Sequence, residues 1–196
     1  MSDPSMTVKL QGEHIIVTTA QETNAESLFN LELKNREFFQ RYSGSRDESF
    51  YTVTGQLDRI RRMEQQRLKD LGYLFLIRLP GTDEVIGEIM LTEVVRGNLQ
   101  SCWIGYFLDK DYNGKGYMTE AVKLVVRYAF EVLSFHRIEA GVMPHNVGSM
   151  KVLLKAGFTK EGIARKNVRI NGKWEDHQTL AILEEDVISP QSDISP

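Results

Sequence analysis

The sequence lacks the features that would place it in several broad classes of protein. It has one cysteine, Cys102, which excludes an internal disulfide and a cysteine-cluster metal site. Its 24 basic and 27 acidic residues leave a net charge of -3, so no overall field attracts nucleic acid or an anionic membrane. No apolar stretch approaches the roughly 18 residues that span a bilayer. The histidines show no metal-ligand spacing. We therefore expect no metal, no direct nucleic-acid contact and no membrane contact.

The first residues lack the basic segment and apolar core of a signal peptide, which together with the lone cysteine indicates a cytoplasmic protein. The 196 residues, 41% of them hydrophobic, suffice for one domain with a sizeable core. Residues 1–6 and 189–196 are small and polar, so they are expected to be disordered tails. A single domain over residues 7–188 is predicted between them.

The order of the predicted strands indicates an α+β fold. The β-branched run at residues 14–19 predicts the first strand, and apolar runs separated by turn residues predict an antiparallel meander. The strands of this meander cover residues 73–79, 84–95 and 101–108. A strand at residues 137–143 and two more around the turn Asn171-Gly172 complete a mixed sheet.

Helices are predicted from apolar spacing near 3.6 residues and from capping residues. Thr23 and Glu26 have capping-box spacing, while Gly72 and Gly157 are expected to end the second and the last helix. Four helices are predicted: one that begins at Thr23, one over residues 54–70, one that begins at Tyr117 and one over residues 146–156. Residues 38–50 are predicted to be a loop.

A glycine-rich turn connects a strand to the helix that begins at Tyr117. Gly114 and Gly116 let the backbone approach a ligand closely, and the free amides of the first helical turn point toward it. The helix dipole favours a phosphate or pyrophosphate there. Lys115 either adds a charged contact or points to solvent. The Walker A spacing is absent, and Thr119 stands where a dinucleotide fingerprint needs glycine or alanine, so neither of those phosphate loops fits.

Two motifs resemble those of the GNAT superfamily of N-acetyltransferases. Residues 113–118 are similar to its Gln/Arg-x-x-Gly-x-Gly/Ala signature, and Asn146-Val147-Gly148-Ser149 followed by Gly157-Phe158 is similar to its second landmark. The resemblance implies a mixed, mostly antiparallel sheet flanked by helices, with the coenzyme A of acetyl-CoA in the cleft between the fourth and fifth predicted strands. It also implies that the pyrophosphate is held by the turn residues Asn113, Gly114, Lys115, Gly116, Tyr117, Met118 and Thr119.

Two positions of the signature differ from the superfamily pattern. Asn113 replaces the usual glutamine or arginine, and Met118 replaces the final small residue. The amide of Met118 can serve as well as that of glycine if its φ is negative.

The resemblance is strongest toward the ribosomal-protein alanine N-acetyltransferases of the RimJ and RimL type, and it covers nearly the whole chain. It is carried by Asn35-Arg36-Glu37-Phe38, by Arg46-Asp47-Glu48-Ser49 and by residues 170–177. It implies direct acetyl transfer, in a ternary complex, to the N-terminal α-amine of a ribosomal protein, with alanine as the expected first residue. Such an amine has a pKa near 8, so roughly a tenth to a quarter of it is neutral near pH 7 to 7.5 and a weak base suffices.

The resemblance also assigns roles around the thioester. A backbone N–H of Phe107 or Leu108 is expected to stabilise the oxyanion. Asn146 is expected to hydrogen-bond the pantetheine arm, and Ser149 to protonate the leaving thiolate. Both could instead simply cap the short helix. Leu153 stands where some relatives place a tyrosine acid, so that variant is excluded.

The general base is the open assignment. Val168 stands where RimL-like enzymes place a glutamate, so that role does not carry over. Glu88 is the first candidate for the base and Glu139 the second. Either could instead be an exposed strand carboxylate. The cluster Arg46-Asp47-Glu48 either contacts the acceptor or pins its loop by salt bridges.

Several features also have ordinary structural interpretations. The arginine-rich helix 54–70 is a solvated, ion-paired face or a patch for a polyanionic partner. Cys102 and Trp174 are expected to be packing residues. The function alternatives are acetylation of a small amine, such as a polyamine or an aminoglycoside, and a catalytically silent acyl-CoA sensor. A monomer and a homodimer are equally compatible with the sequence.

Overall fold

The computed structural model describes residues 7–188, so the tails expected at residues 1–6 and 189–196 lie outside the described part. The strands are β1 Lys9–Gln11, β2 Ile16–Thr19, β3 Tyr73–Arg78, β4 Val85–Val95, β5 Ser101–Leu108, β6 Arg137–Val142, β7 Thr159–Ile170 and β8 Lys173–Leu183. The helices are α1 Ala25–Lys34, α2 Arg36–Gln40, α3 Val53–Leu68, α4 Tyr117–Glu131, α5 Val147–Ala156 and α6 Glu184–Val187. Short 3-10 helices cover Glu22–Asn24, Glu48–Tyr51 and Lys110–Tyr112.

All eight strands form one sheet in the order β1-β2-β3-β4-β5-β6-β8-β7, and every neighbouring pair is antiparallel except β5 with β6. This confirms the predicted mixed, mostly antiparallel sheet. The three-residue strand β1 was not predicted, so the fourth and fifth predicted strands are β5 and β6. The parallel pair is short, since it joins only Ser101–Trp103 to Arg137–Glu139. Beyond Trp103 the two strands separate, and a gap opens in the middle of the sheet.

Helices cover both faces of the sheet. On one face α4 and α5 cover the sheet, and Val125 and Leu153 share one buried core with Ile104 and Ile138. On the other face α1 and α3 cover β3 and β4 through residues such as Leu28 and Ile60. We call these the α4/α5 face and the α1/α3 face. The gap between β5 and β6 is therefore bounded by different side chains on each face.

Two predicted helix boundaries were wrong. The first helix begins at Ala25 after a 3-10 turn, where Asn24 Oδ1 accepts the N–H of Gln21 at 2.9 Å, so Thr23 is not its cap. The second helix ends at Leu68, and Asp70, with φ of 57°, reverses the chain before Gly72. In both places a polar side chain other than the predicted residue makes the turn.

The predicted loop at residues 38–50 is only partly a loop. Helix α2 extends to Gln40, and a 3-10 helix begins at Glu48, so residues 41–47 alone are irregular. Within residues 7–188, no helix has both the length and the apolar character needed to cross a bilayer.

Candidate active site

A cavity of about 800 Å³ lies at the gap between β5 and β6. Ten of the twelve residues that the sequence placed in the site line it. They are Phe107, Leu108, Asn113, Gly114, Gly116, Tyr117, Met118, Thr119, Asn146 and Ser149. Lys115 and Glu88 are not among its lining residues. The fold thus brings the glycine turn and the α5 N-terminus to one opening.

The glycine turn forms an open cradle. Gly114 and Gly116 have φ of 79° and 86°, a conformation that favours glycine, and a Cβ on either would meet nothing within 4 Å. Gly116 is the residue before the first turn of α4, a 15-residue helix whose first amides have no partner of their own. Met118 lies inside this helix with negative φ, so its amide is aligned with the others. The turn therefore has the geometry of an anion site.

Side chains from distant segments fix the turn in place. The buried Asp109 carboxylate accepts from Lys34 Nζ at 2.7 Å, and this hydrogen bond raises the pKa of Lys34. Asn35 Oδ1 accepts the N–H of Lys110 at 3.0 Å. Lys115 Nζ lies 5.0 Å from the centre of the Tyr112 ring. Lys34 and Asn35 stand 75 residues before their partners, which explains why the signature alone did not reveal these two contacts.

The hydrogen bonds at the N-terminus of α5 show which of Asn146 and Ser149 caps the helix. Asn146 Oδ1 accepts the N–H of Ser149 at 3.2 Å, so Asn146 caps the helix while it also lines the cavity. Ser149 is not the cap. Its Oγ lies 2.9 Å from the hydroxyl oxygen of Tyr106, which is also 3.1 Å from the Ser149 carbonyl oxygen.

Tyr106 is a cavity residue that the sequence analysis missed. It lies on β5 with its side chain on the α4/α5 face, where it packs beside the core and meets Ser149. Burial raises the pKa of Tyr106, so its hydroxyl stays a proton donor at neutral pH. Its position between Ile104 and Leu108 was visible in the sequence, but the contact depends on a helix 43 residues further along.

Glu88 does not reach the cavity. It is fully buried, and its two carboxylate oxygens accept from the Arg59 guanidinium at 2.7 and 2.9 Å. The expectation of an exposed carboxylate was wrong, and the proposed role as general base is contradicted because Arg59 holds both oxygens. Glu139 pairs with Arg137 at 3.0 Å and also lies outside the cavity lining.

A second carboxylate completes this buried cluster. Glu32 accepts from Arg46 at 2.7 Å and from Arg59 at 3.4 Å, and it has no exposed surface. Burial raises the pKa of Glu32 to about 7, the nearby Glu88 carboxylate raises it too, and the guanidiniums of Arg46 and Arg59 oppose this shift. We call Glu32, Arg46, Arg59 and Glu88 the buried ion cluster.

The loop residues Arg46-Asp47-Glu48 pin their own loop. Arg46 bonds Glu32, Asp47 accepts the N–H of Phe50 at 3.2 Å, and Glu48 accepts from Arg36. Arg46 also lines the cavity, with its guanidinium 5.2 Å from the Phe107 ring centre. Of the two alternatives for this cluster, the contacts are those of a loop held in place by salt bridges.

The α1/α3 side of the cavity is closed by α2 and the β7–β8 hairpin. Asn171 Nδ2 donates to the Gln40 backbone oxygen at 2.8 Å, and Gln40 Nε2 donates to Asn171 Oδ1 at 2.8 Å. We call this pair of bonds the hairpin clamp. The lining here is largely aromatic and aliphatic: Phe38, Phe39, Tyr42, Phe107, Val168 and Ile170.

The cavity lining is poor in acid. Among the described residues, no aspartate or glutamate lines it, whereas Arg46, Lys151, Lys155 and His177 do. No cluster of histidine, cysteine or carboxylate side chains suited to a metal occurs over residues 7–188. The cavity therefore suits an anionic ligand and offers nothing to neutralise a polycation.

Several remaining interpretations are settled by burial and pairing. Cys102 is fully buried, and burial raises its pKa to about 12. In the arginine-rich helix, Arg61 pairs with Glu22 at 2.9 Å and Arg67 with Glu64 at 2.7 Å, as the ion-paired face requires. The packing expectation for Trp174 was wrong, because the side chain is 56% exposed on the hairpin.

Comparison with known proteins gives a consistent family. Residues 14–159 match the family model described as acetyltransferase (GNAT) domain. The chain is 55% identical over 177 residues to a Bacillus subtilis protein named "Probable N-acetyltransferase YjcK", covering 90% of this chain and 98% of that one. It is 32% identical over 175 residues to the Escherichia coli ribosomal protein uS5-alanine N-acetyltransferase, covering 89% and 90% of the two chains.

Solved structures agree with this assignment. The structure of Mycobacterium smegmatis RimJ in complex with CoA-disulfide superposes with a TM-score of 0.86 at 25% identity. The match covers 94% of this chain and 90% of that one.

Proposed function

The chain belongs to the GNAT family of acetyltransferases, and from this premise we propose that it moves the acetyl group of acetyl-CoA to the N-terminal α-amine of a protein. A ribosomal protein that begins with alanine is the expected acceptor, because uS5-alanine acetyltransferase is similar over 89% of the chain. One observation carries the proposal. A single cavity joins the anion turn at Gly114 and Gly116 to an aromatic end without carboxylates.

The donor end suits coenzyme A. A pyrophosphate fits the open cradle of Gly114 and Gly116 at the N-terminus of α4, where the helix amides and dipole favour it. The pantetheine arm would follow the edge of β5 that β6 leaves unpaired beyond Trp103, beside the Asn146 side chain. Lys151 and Lys155, on α5, supply positive charge to the same lining.

The backbone of β5 favours one of the two oxyanion donors. The N–H of Asp109 donates to the Ile86 oxygen on β4 at 2.8 Å. Successive amides along a strand point to opposite sides, so the N–H of Leu108 faces the gap and that of Phe107 faces β4. We therefore assign the oxyanion contact to Leu108.

The proposed proton donor to the leaving thiolate is Ser149, and its contacts with Tyr106 support this role. The Tyr106 hydroxyl has one proton and two Ser149 oxygens within reach. When it donates to Ser149 Oγ, the serine proton is free to point into the cavity. Because burial raises the pKa of Tyr106, the phenol is protonated before the reaction begins and holds Ser149 in the donating orientation.

The two alternative functions fit this cavity less well. A polyamine or an aminoglycoside is a polycation, and no carboxylate among the described residues lines the cavity to receive it. A silent acyl-CoA sensor needs no hydroxyl pair in its cavity, yet Tyr106 and Ser149 both line this one with their hydroxyl oxygens 2.9 Å apart. Both observations support a catalyst for a neutral or acidic acceptor.

An acceptor panel tests the proposal. The purified chain is mixed with labelled acetyl-CoA and with peptides that begin with alanine, with an acetylated alanine, or with a blocked end and an internal lysine. Spermidine and an aminoglycoside complete the panel. We expect label on the free α-amine peptide alone. Turnover confined to spermidine, or binding of coenzyme A without turnover on any amine, would reject the proposed function.

A further inference from the structure

The cavity contains a histidine that sequence spacing did not single out. We propose that His177 is the general base that takes the proton of the acceptor amine. This inference rests on the proposed function, since it names the base for the same reaction. It follows from the face of the sheet on which His177 lies, from the hydrogen bond of its ring, and from the other side chains that line the cavity.

His177 lies on the α1/α3 face of the sheet. Gln178 is paired with Val142, which packs in the core of the α4/α5 face, so the neighbouring residue His177 points to the opposite face. Phe107 points the same way and meets Phe39 with ring centres 4.9 Å apart. The sheet therefore separates His177 from the Tyr106–Ser149 pair, which lies on the α4/α5 face.

The imidazole packs over the β6 backbone at Gly141, next to the Trp103 ring. A Cβ added to Gly141 on β6 would lie 3.6 Å from His177 Cδ2 and 3.3 Å from the Trp103 ring. Gly141 itself adds no side chain, and both it and His177 line the cavity. The imidazole is thus next to the gap where the acceptor must meet the thioester.

The hydrogen bond of the ring indicates its tautomer. His177 Nδ1 lies 3.3 Å from the backbone oxygen of Glu175, and a carbonyl oxygen can only accept, so Nδ1 carries the proton. Among residues 7–188, Nε2 has no hydrogen-bond partner, and this atom keeps some exposed surface although His177 as a whole is buried. Its lone pair is available to an incoming amine.

No other side chain that lines the cavity in the described part is suited to act as the base. The other titratable side chains in the cavity wall of the described part are Tyr42, Arg46, Tyr106, Tyr117, Lys151 and Lys155. Phenols, guanidiniums and ammonium groups all hold their proton at neutral pH in ordinary surroundings, whereas an imidazole exchanges one there. No carboxylate of residues 7–188 lines the cavity to compete.

The charged groups near His177 are mostly paired. Arg46 reaches the cavity from the loop after α2 and bonds Glu32. On β6, Glu139 pairs with Arg137, and on β8 itself Glu175 pairs with Lys173 at 3.0 Å. On β7, Lys166 lies two residues beyond Ala164, the register partner of His177, and its backbone N–H, not its ammonium, donates to the Asp176 carboxylate.

The two proton transfers then take place on opposite faces of the sheet, one from the amine and one to the thiolate. The amine nitrogen forms the new C–N bond and loses one proton to His177 Nε2. The electron pair of the breaking C–S bond leaves on sulfur, which takes a proton from Ser149 on the other face, and Tyr106 returns one to Ser149. After product release, the imidazolium and the hydroxyl pair exchange protons with water, so the protein ends as it began.

The test compares His177→Gln with a matched control, His136→Gln. Gln keeps a polar side chain of similar size but accepts no proton. His136 is exposed and faces Glu185. With the alanine peptide, we expect kcat of His177→Gln to fall about 100-fold, with KM for acetyl-CoA unchanged and calorimetric affinity for coenzyme A retained. The acidic limb of the wild-type pH–rate profile should disappear from the variant and remain in the control.

Chemical rescue of kcat by added imidazole gives a second test of the proposed base. In His177→Gly, added imidazole should restore part of kcat in a concentration-dependent way, which a merely structural histidine would not allow. Wild-type kcat in His177→Gln, or a lower kcat with the acidic limb intact, would overturn the base while the acceptor panel still supports the transferase. A wild-type chain that acetylates no amine would instead reject the proposed function and the base together.

Discussion

Gly116 has a backbone conformation that favours glycine, and it lies where the negatively charged pyrophosphate is proposed to bind. It has φ of 86° and an open Cβ direction at the start of α4. We predict that Gly116→Asp abolishes coenzyme A binding, because its carboxylate would face the pyrophosphate. Gly81→Asp is the matched control, since Gly81 has φ of 77°, an equally open Cβ direction, and a place in the β3–β4 turn away from the cavity. Calorimetry that gives equal affinity for both variants would place the anion site elsewhere.

The Tyr106–Ser149 pair is a second single-residue test. We predict that Ser149→Ala and Tyr106→Phe each lower kcat about 10- to 100-fold and leave KM for acetyl-CoA unchanged, because both act on the leaving thiolate. The double variant should be hardly slower than Ser149→Ala, since Tyr106 acts through Ser149. Tyr128→Phe, a half-buried tyrosine against Phe75, is the control. Multiplicative losses in the double variant would separate the two residues.

At the scale of residues, the sequence located the site far better than it assigned chemistry. Eight residues lining the cavity followed from the glycine turn and the α5 motif, because amides at a glycine turn need only local geometry, and Phe107 and Leu108 followed from the strand that precedes the turn. Tyr106 and His177 were missed because their contacts, with Ser149 on α5 and with Gly141 on β6, join segments that are far apart in the chain. Glu88 was misassigned for the same reason, since Arg59 binds it from a helix 29 residues earlier in the chain.

The buried ion cluster joins three elements, α1, α3 and β4, and its stability should depend on pH. Burial raises the pKa of Glu32 from an ordinary 4.5 to about 7. The native state then binds more protons than the unfolded state between these values, so rising pH lowers the unfolding free energy over that range. We predict that the unfolding free energy of the wild type, minus that of Glu32→Gln, falls by up to about 3 kcal/mol from pH 4.5 to 7. Urea titrations at a series of pH values check this, and a constant difference would contradict it.

The hairpin clamp couples the tip of β7–β8 to α2. Asn171 has φ of 48°, so Asn171→Gly keeps the turn conformation and removes both side-chain bonds to Gln40. We predict that KM for the acceptor peptide rises up to about 10-fold, as two exposed hydrogen bonds of about 0.5 to 1 kcal/mol each would allow. Affinity for coenzyme A should not change.

Asn98→Gly, in the turn between β4 and β5, is the control for this variant. If both substitutions leave the acceptor KM at its wild-type value, the clamp does not shape the acceptor site.

Elements were predictable where the signal was local. Sequence pattern placed β3, β4, β5 and α5 within a residue or two of their bounds, the start of α4 at Tyr117, and the turn of the last hairpin at Asn171-Gly172. The errors lie where a side chain from another turn decides the geometry, as at Asn24 and Asp70. Strand β1 has only three residues, so its pairing with β2, rather than any pattern of its own, defines it.

The whole described molecule is built on one continuous sheet, so we predict a single cooperative unfolding transition. Coenzyme A at about 100 times its Kd should stabilise the native state by about 2.7 kcal/mol. For a chain of this size, that energy raises Tm by roughly 5 to 10 °C. Calorimetric scans of the wild type and Gly116→Asp check this, and the variant should show no shift. Two transitions, only one of which responds to coenzyme A, would contradict the single-unit prediction.

The short parallel contact between β5 and β6 has a consequence for how this protein can vary. Beyond Trp103 the strand edge of β5 that faces the gap is made of main-chain atoms, which every residue type supplies alike. A saturation mutagenesis library should therefore find the inner stretch of β5, apart from Tyr106, tolerant of conservative side-chain exchange and intolerant of proline, which removes an N–H. Sequence drift at the donor site would then leave donor choice intact, while selection for new acceptors acts on the α2 and hairpin walls.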